Sequence, residues 1–123
     1  MRTFARIFLL VFALSLSAQA RDYQRTILLK RGQRSTSSVM RLPSPGDSGV
    51  FSFEAHSGQH VLIEIKPISR SLITQAVLIC PSGKQYGPGQ KMDQDLEESG
   101  TYQIRVVARQ QTSGSFRVSL TLR

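Results

Sequence analysis

The chain of 123 residues has no tryptophan, one cysteine, two histidines and eight acidic residues. Each scarcity removes a class of explanation. One cysteine cannot close an internal disulfide, so stability has to come from a packed core. Cys80 lies in the apolar run Ala76-Val77-Leu78-Ile79-Cys80-Pro81. It is expected to be a small buried hydrophobe, with an intermolecular disulfide or a reactive thiol as the alternatives. No histidine or acid stands beside it to activate the thiol. Without tryptophan, and with three tyrosines, a sugar-stacking platform is thin; Tyr23 and Tyr86 are the two expected at the surface. His56 and His60 flank a turn, with Glu54 and Glu64 as the nearby carboxylates, so a structural or solvated role is expected for both. No G-x-S-x-G elbow is present, and Gly87-Pro88-Gly89 is not followed by a helix or a Lys-Thr pair. No catalytic residue, metal ligand or cofactor site is therefore expected. No apolar run is long enough to span a bilayer.

The start of the chain is a separate unit. Arg2 and Arg6 precede an apolar stretch over 7–16, and Ala18-Gln19-Ala20 is a small-x-small cleavage site. This pattern predicts a signal peptide over 1–20 and a mature chain over 21–123, periplasmic or secreted. No cysteine follows the cleavage site, which argues against a lipoprotein. The mature length of about a hundred residues suits one domain. The sequence carries sixteen Lys and Arg against eight Asp and Glu; two of the basic residues leave with the leader, so the mature net charge is +6. Export removes the protein from nucleic acid. It brings it to anionic envelope polymers, although solubility alone also accounts for such a charge.

What the sequence does have is alternation. In Ser99-Gly100-Thr101-Tyr102-Gln103-Ile104-Arg105-Val106, a turn launches a strand with Tyr102, Ile104 and Val106 on one face and Gln103 and Arg105 on the other. Phe116, Val118, Leu120 and Leu122 repeat the pattern. Such strands rest one face on a core and the other in water. Strands are expected over 24–30, 39–42, 50–55, 60–66, 72–80, 101–109 and 115–123, with 91–98 an edge strand or ordered loop. A polar turn is expected over 32–38, and breaker clusters at 43–49 and 86–89. The 72–80 segment is apolar on both faces, so it belongs at the centre of a sheet or under a cover. If the last two strands pair, Arg105 and Arg117 share an outward face. There is no βαβ rhythm and no helix. The expected fold is all-β: one antiparallel, jelly-roll-like β-sandwich of seven or eight strands, with its termini near one another.

Asp93, Asp95, Glu97 and Glu98 form an acidic segment. Alternate acids could hold Ca²⁺, but the spacing lacks the glycine-turned loop of calcium sites. A solvated edge that discourages strand pairing is the preferred reading.

The order of turns resembles a known family. Phe51-Ser52-Phe53-Glu54-Ala55, Ser57-Gly58-Gln59 and Val61-Leu62-Ile63-Glu64-Ile65 resemble the core of bacterial pre-peptidase C-terminal domains. Pro81-Ser82-Gly83 and the strand from Leu96 to Val106 are similar to theirs. The resemblance spans nearly all of the mature chain. Among free-standing relatives, the periplasmic inhibitors of g-type lysozyme are similar in length, export signal and a Ser-Gly-x-Tyr motif, met here by Ser99, Gly100 and Tyr102. That resemblance implies a binding protein whose Ser-Gly turn lies at or beside the surface that plugs a lysozyme cleft. Basic rim residues such as Arg70, Lys84 and Lys91, with Tyr86, would suit an acidic cleft. The motif also has a structural reading, glycine making the turn and tyrosine packing under the sheet. The expected partner is a protein such as a lysozyme, or else an envelope glycan or anionic polymer. An immunity role against a secreted toxin is a further alternative. The chain is expected to be a monomer or weak dimer.

Overall fold

The computed structural model describes residues 20–123. The leader predicted over 1–20 lies outside them apart from Ala20. Nine strands follow in order: β1 (Asp22–Thr26), β2 (Ser35–Leu42), β3 (Ser48–Ala55), β4 (His60–Pro67), β5 (Thr74–Ile79), β6 (Gln85–Gly89), β7 (Lys91–Asp95), β8 (Gly100–Ala108) and β9 (Gly114–Leu122). They form a five-stranded sheet, β1-β3-β8-β5-β6, and a four-stranded sheet, β2-β9-β4-β7. The architecture is the expected all-β sandwich. All neighbours are antiparallel except β1, which pairs with β3 in parallel.

Alternation places the core. Phe51, Phe53, Tyr102, Ile104, Val106 and Leu78 point inward from the larger sheet; Val61, Ile63, Ile65, Phe116, Val118 and Leu120 meet them from the smaller. Phe51 and Phe116 join the two layers edge to face, with centroids 5.9 Å apart. Full burial of side chains of this kind contributes about 1.5–3 kcal/mol each. Gly49 lets the Met40 sulfur approach: a Cβ there would lie 2.5 Å from it.

Several local expectations change. Ser35–Ser38, expected in a polar turn, belongs to β2. The backbone bonds to β9 carry this strand, and its inward Thr36 and Ser38 are only half-buried. The 86–89 cluster, expected to break the chain, is edge strand β6. Its Pro88 follows a cis peptide and is tolerated because an edge strand can do without a donor. The first strand is shorter than 24–30 and begins earlier. β5 is an interior strand between β8 and β6, as its two apolar faces suggested. β8 and β9 lie in different sheets, so Arg105 and Arg117 occupy opposite outer faces. The ends of the predicted mature chain, Arg21 and Arg123, expected near one another, are also apart. Arg21 meets Asp47 and Ser48 at one end of the sandwich, whereas Arg123 pairs with His60 at the other. The nine-residue strand β9 separates them, running the length of the sheet, roughly 30 Å at about 3.4 Å per residue.

Candidate functional site: the loop end around Ser99

Three connections meet at the end of the sandwich where β8 begins: 56–59, 80–84 and 96–100. Backbone bonds join the first and third, Gly58 N–H donating to Leu96 O (2.8 Å) and Leu96 N–H to Gln59 O (2.8 Å). The Ser57 N–H donates to Ser99 Oγ at 2.9 Å. Glu98 ties in the second connection. Its two carboxylate oxygens accept from the Ser82 N–H (2.9 Å) and the Ser82 hydroxyl (2.8 Å). Gly100 has φ +140°, and Pro81 packs so closely that a Cβ on Gly100 would lie 3.2 Å from the Pro81 ring. Glycine is required on both counts.

Tyr102 stands beneath this turn with no exposed surface. Its hydroxyl donates to Glu98 O (2.7 Å) and accepts from Glu98 N–H (3.3 Å). Its ring stacks on Phe53 at 5.6 Å. This is the geometry of a tyrosine corner, in which a buried ring fixes the turn just upstream of its own strand. Burial pushes the phenol pKa up. Within the Ser-Gly-x-Tyr motif, then, tyrosine is scaffold and Ser99 is the exposed member. Ser99 Oγ already accepts a bond, which leaves its hydroxyl proton to donate elsewhere.

Beside the turn lies a groove of about 330 Å³. Ile27, Leu28, Leu29, Phe53 and Leu122 line its apolar part, with Glu54, His56, Gln59 and Thr101 on its polar side. Leu28 is 79% exposed. On the outer face of the larger sheet, a second hollow of about 270 Å³ is lined by Ile79, Cys80, Pro81, Gly83, Thr101 and Gln103. Cys80 itself is buried and unpaired among the described residues, as expected of a small hydrophobe. Burial raises its thiol pKa, which keeps it protonated and unreactive.

The acids of 93–98 do not converge. Asp93 and Asp95 both turn to His60: Nδ1 lies 2.6 Å from Asp95 Oδ1, and Nε2 contacts Asp93 Oδ1. Glu98 serves Ser82 and Glu97 is exposed. The carboxylates of Asp95 and then Asp93 raise the His60 pKa. With both ring nitrogens facing acceptors, the imidazolium is the form that fits. Among the described residues no group of three or more His, Cys, Asp and Glu side chains could hold a metal ion.

The structure brings together some of the residues that the sequence singled out and separates others. Ser99, Gly100 and Tyr102 share one end of the sandwich with Lys84. The Lys84 ammonium sits 5.1 Å from the Tyr86 ring centre, and Tyr86 raises its pKa. Tyr86 is in β6 rather than on a loop, and like Tyr23 it is half-buried against the core, not freely exposed as expected. Lys91 lies opposite Glu64 on the edge strand β7. Arg70 is at the far end, in the turn after β4, where Ile68 and Ser69 donate to Ser115 O. Sequence reading missed the groove, because 27–29 was expected to continue a strand. It also missed the His60 pair, whose only signal is the outward register of β4 against β7.

No family model matches the chain, and neither does any curated protein. Solved structures do. The periplasmic g-type lysozyme inhibitor PliG of Aeromonas hydrophila superposes with TM-score 0.72 at 13% identity, over 85% of this chain and 100% of that one. PliG of Salmonella Typhimurium gives 0.59 at 17% identity, over 82% and 98%. The pre-peptidase C-terminal domain of Bacillus anthracis collagenase gives 0.54 at 15% identity, over 85% and 97%. At these identities the likeness is one of fold: the chain has the sandwich found in PliG-type lysozyme inhibitors and in pre-peptidase C-terminal domains.

Proposed function

We propose that the protein is an exported, non-enzymatic binding module that inhibits a cell-wall hydrolase of the lysozyme class. It does so by placing the Ser99–Gly100 turn and the neighbouring 56–59 and 80–84 connections in the enzyme's cleft. One observation carries this reading. An exposed Ser-Gly turn is locked by Ser57, Pro81 and Tyr102 at the loop end of a sandwich whose fold matches PliG inhibitors along nearly its whole length. A turn held in this way loses little freedom on binding, which favours cleft insertion. The Ser99 hydroxyl can donate to an active-site carboxylate, and the apolar groove beside Leu28 offers area for contact outside the cleft.

The charge of this end supports a refinement. Glu54, Asp93, Asp95, Glu97 and Glu98 lie at or near it, whereas Arg70 does not. These acids offset Lys30, Arg31, Arg34, Lys84 and Arg123 at the same end, so a basic enzyme meets a locally balanced surface even though the whole chain is basic. The test is lysis of cell-wall suspensions by g-, c- and i-type lysozymes with the 21–123 chain added. Stoichiometric inhibition of at least one, weakened by Ser99→Ala, is expected. No inhibition of any at micromolar protein overturns the proposal.

A further inference from the structure

The excess positive charge is not spread evenly, and its concentration points to a second surface. On the outer face of the smaller sheet, Val39, Arg117 and Lys66 lie directly opposite one another across β2, β9 and β4. Arg41, opposite Ser115, lies two residues along β2 from Val39. Arg41, Lys66 and Arg117 are all exposed, while their chain neighbours Met40, Leu42, Ile65, Phe116 and Val118 are buried. All three cations therefore project from one face. Arg70 follows at its end, because Ser69 and Ser115 bond each other there. Strands stand about 4.8 Å apart, so the cations are close neighbours.

This arrangement is costly. Like charges directly opposite one another in a sheet repel, as Arg117 and Lys66 do here. Among the described residues neither Arg41 nor Arg117 has an ion-pair partner, and Lys66 has Glu64 at 3.9 Å. The hydroxyl of Ser115, opposite Arg41 and two residues along β9 from Arg117, shares the face and adds a donor, while Ser119, beyond Arg117, lies opposite Glu64. An anion with several acceptor oxygens per charge would relieve the repulsion and engage both guanidinium forks. We infer that this face, remote from the Ser99 turn, binds a phosphate-bearing polyanion of the cell envelope through Arg41, Lys66 and Arg117. Phosphate is favoured over carboxylate because two forked guanidinium groups, the Lys66 ammonium and the Ser115 hydroxyl on one flat sheet offer more donors than one carboxylate can accept. The inference is independent of hydrolase inhibition, which uses the other end.

The experiment is titration of the 21–123 chain with long-chain inorganic polyphosphate across a salt series, with carboxylate-bearing polygalacturonate as the second probe. Arg41→Gln/Lys66→Gln/Arg117→Gln is compared with a variant of equal charge loss at the other end, Lys30→Gln/Lys84→Gln/Arg123→Gln. Thermal melts confirm that both fold; the substituted side chains all lie on the surface. The expected result is polyphosphate binding weakened at least tenfold by the first triple substitution and little by the second. The slope of log affinity against log salt should fall by about two, at roughly 0.7–0.9 for each phosphate no longer neutralised. Equal losses in the two variants would overturn the inference, since attraction would then follow net charge alone. Equal binding of polygalacturonate would overturn the phosphate assignment, and absence of polyphosphate binding at low salt would overturn the surface itself.

Discussion

Tyr102 and His60 show how single side chains set the loop end. Replacing Tyr102 by Phe keeps the stacked ring but removes the bonds to Glu98 O and N–H. A net loss of about 0.5–1.5 kcal/mol is expected, read as a lower urea midpoint with an unchanged slope. Tyr102→Ala empties a fully buried site and should cost about 3–5 kcal/mol. For His60 the sign follows from its raised pKa. The folded state holds the proton more tightly than the unfolded one, whose ordinary value is 6.5. The stabilisation is thus complete below that value and is lost as pH rises through the higher folded value. The melting temperature of the native chain should therefore fall across that window relative to His60→Gln. Parallel curves for the two chains would refute the pairing with Asp93 and Asp95.

At the scale of elements, Glu98 makes two loops into one unit. Glu98→Ala removes both hydrogen bonds to Ser82. Faster amide hydrogen exchange is expected in 80–84 and 96–100 together, while the interior of β8 stays protected. Exchange confined to the mutated loop would mean that the two move independently. The same elements show what a sequence discloses. β4, β8 and β9 were legible because buried and exposed residues alternate along them without interruption. β2 and β6 were not. Ser35–Ser38 has no apolar side chain to announce a strand, and Gly87-Pro88-Gly89 has the composition of a turn; partner strands impose extension on both. The Ser-Gly-x-Tyr motif was legible as a turn and an inward tyrosine. Its contacts with Ser57 and Pro81, and the bond of the adjoining Glu98 to Ser82, come from segments 16 to 42 residues away, a separation local patterning does not encode.

For the whole molecule, the opposed ends resolve a contradiction. The predicted mature chain, of net charge +6, looks unsuited to a basic enzyme. Yet the acids of the loop end offset Lys30, Arg31, Arg34, Lys84 and Arg123 there, and the cations without such compensation, Arg41, Lys66, Arg70 and Arg117, lie elsewhere. If that end meets the hydrolase, Glu97→Gln should slow association at low ionic strength, with the difference from the native chain fading at high salt. Arg41→Gln/Arg117→Gln should leave the inhibition constant unchanged. Stopped-flow association and steady-state lysis measure the two quantities, and a larger effect from the arginine pair would reverse the assignment of ends.

The separation of Arg21 from Arg123 bears on how such measurements are made. A surface coupling or affinity handle placed before Arg21 leaves the loop end facing solution. The same handle appended to Arg123 sits beside His60 and the Ser99 turn, where it would shield them from any enzyme. Two preparations of one polypeptide, differing only in which end carries the handle, should thus behave oppositely in an immobilised binding assay: the first captures the enzyme and the second does not.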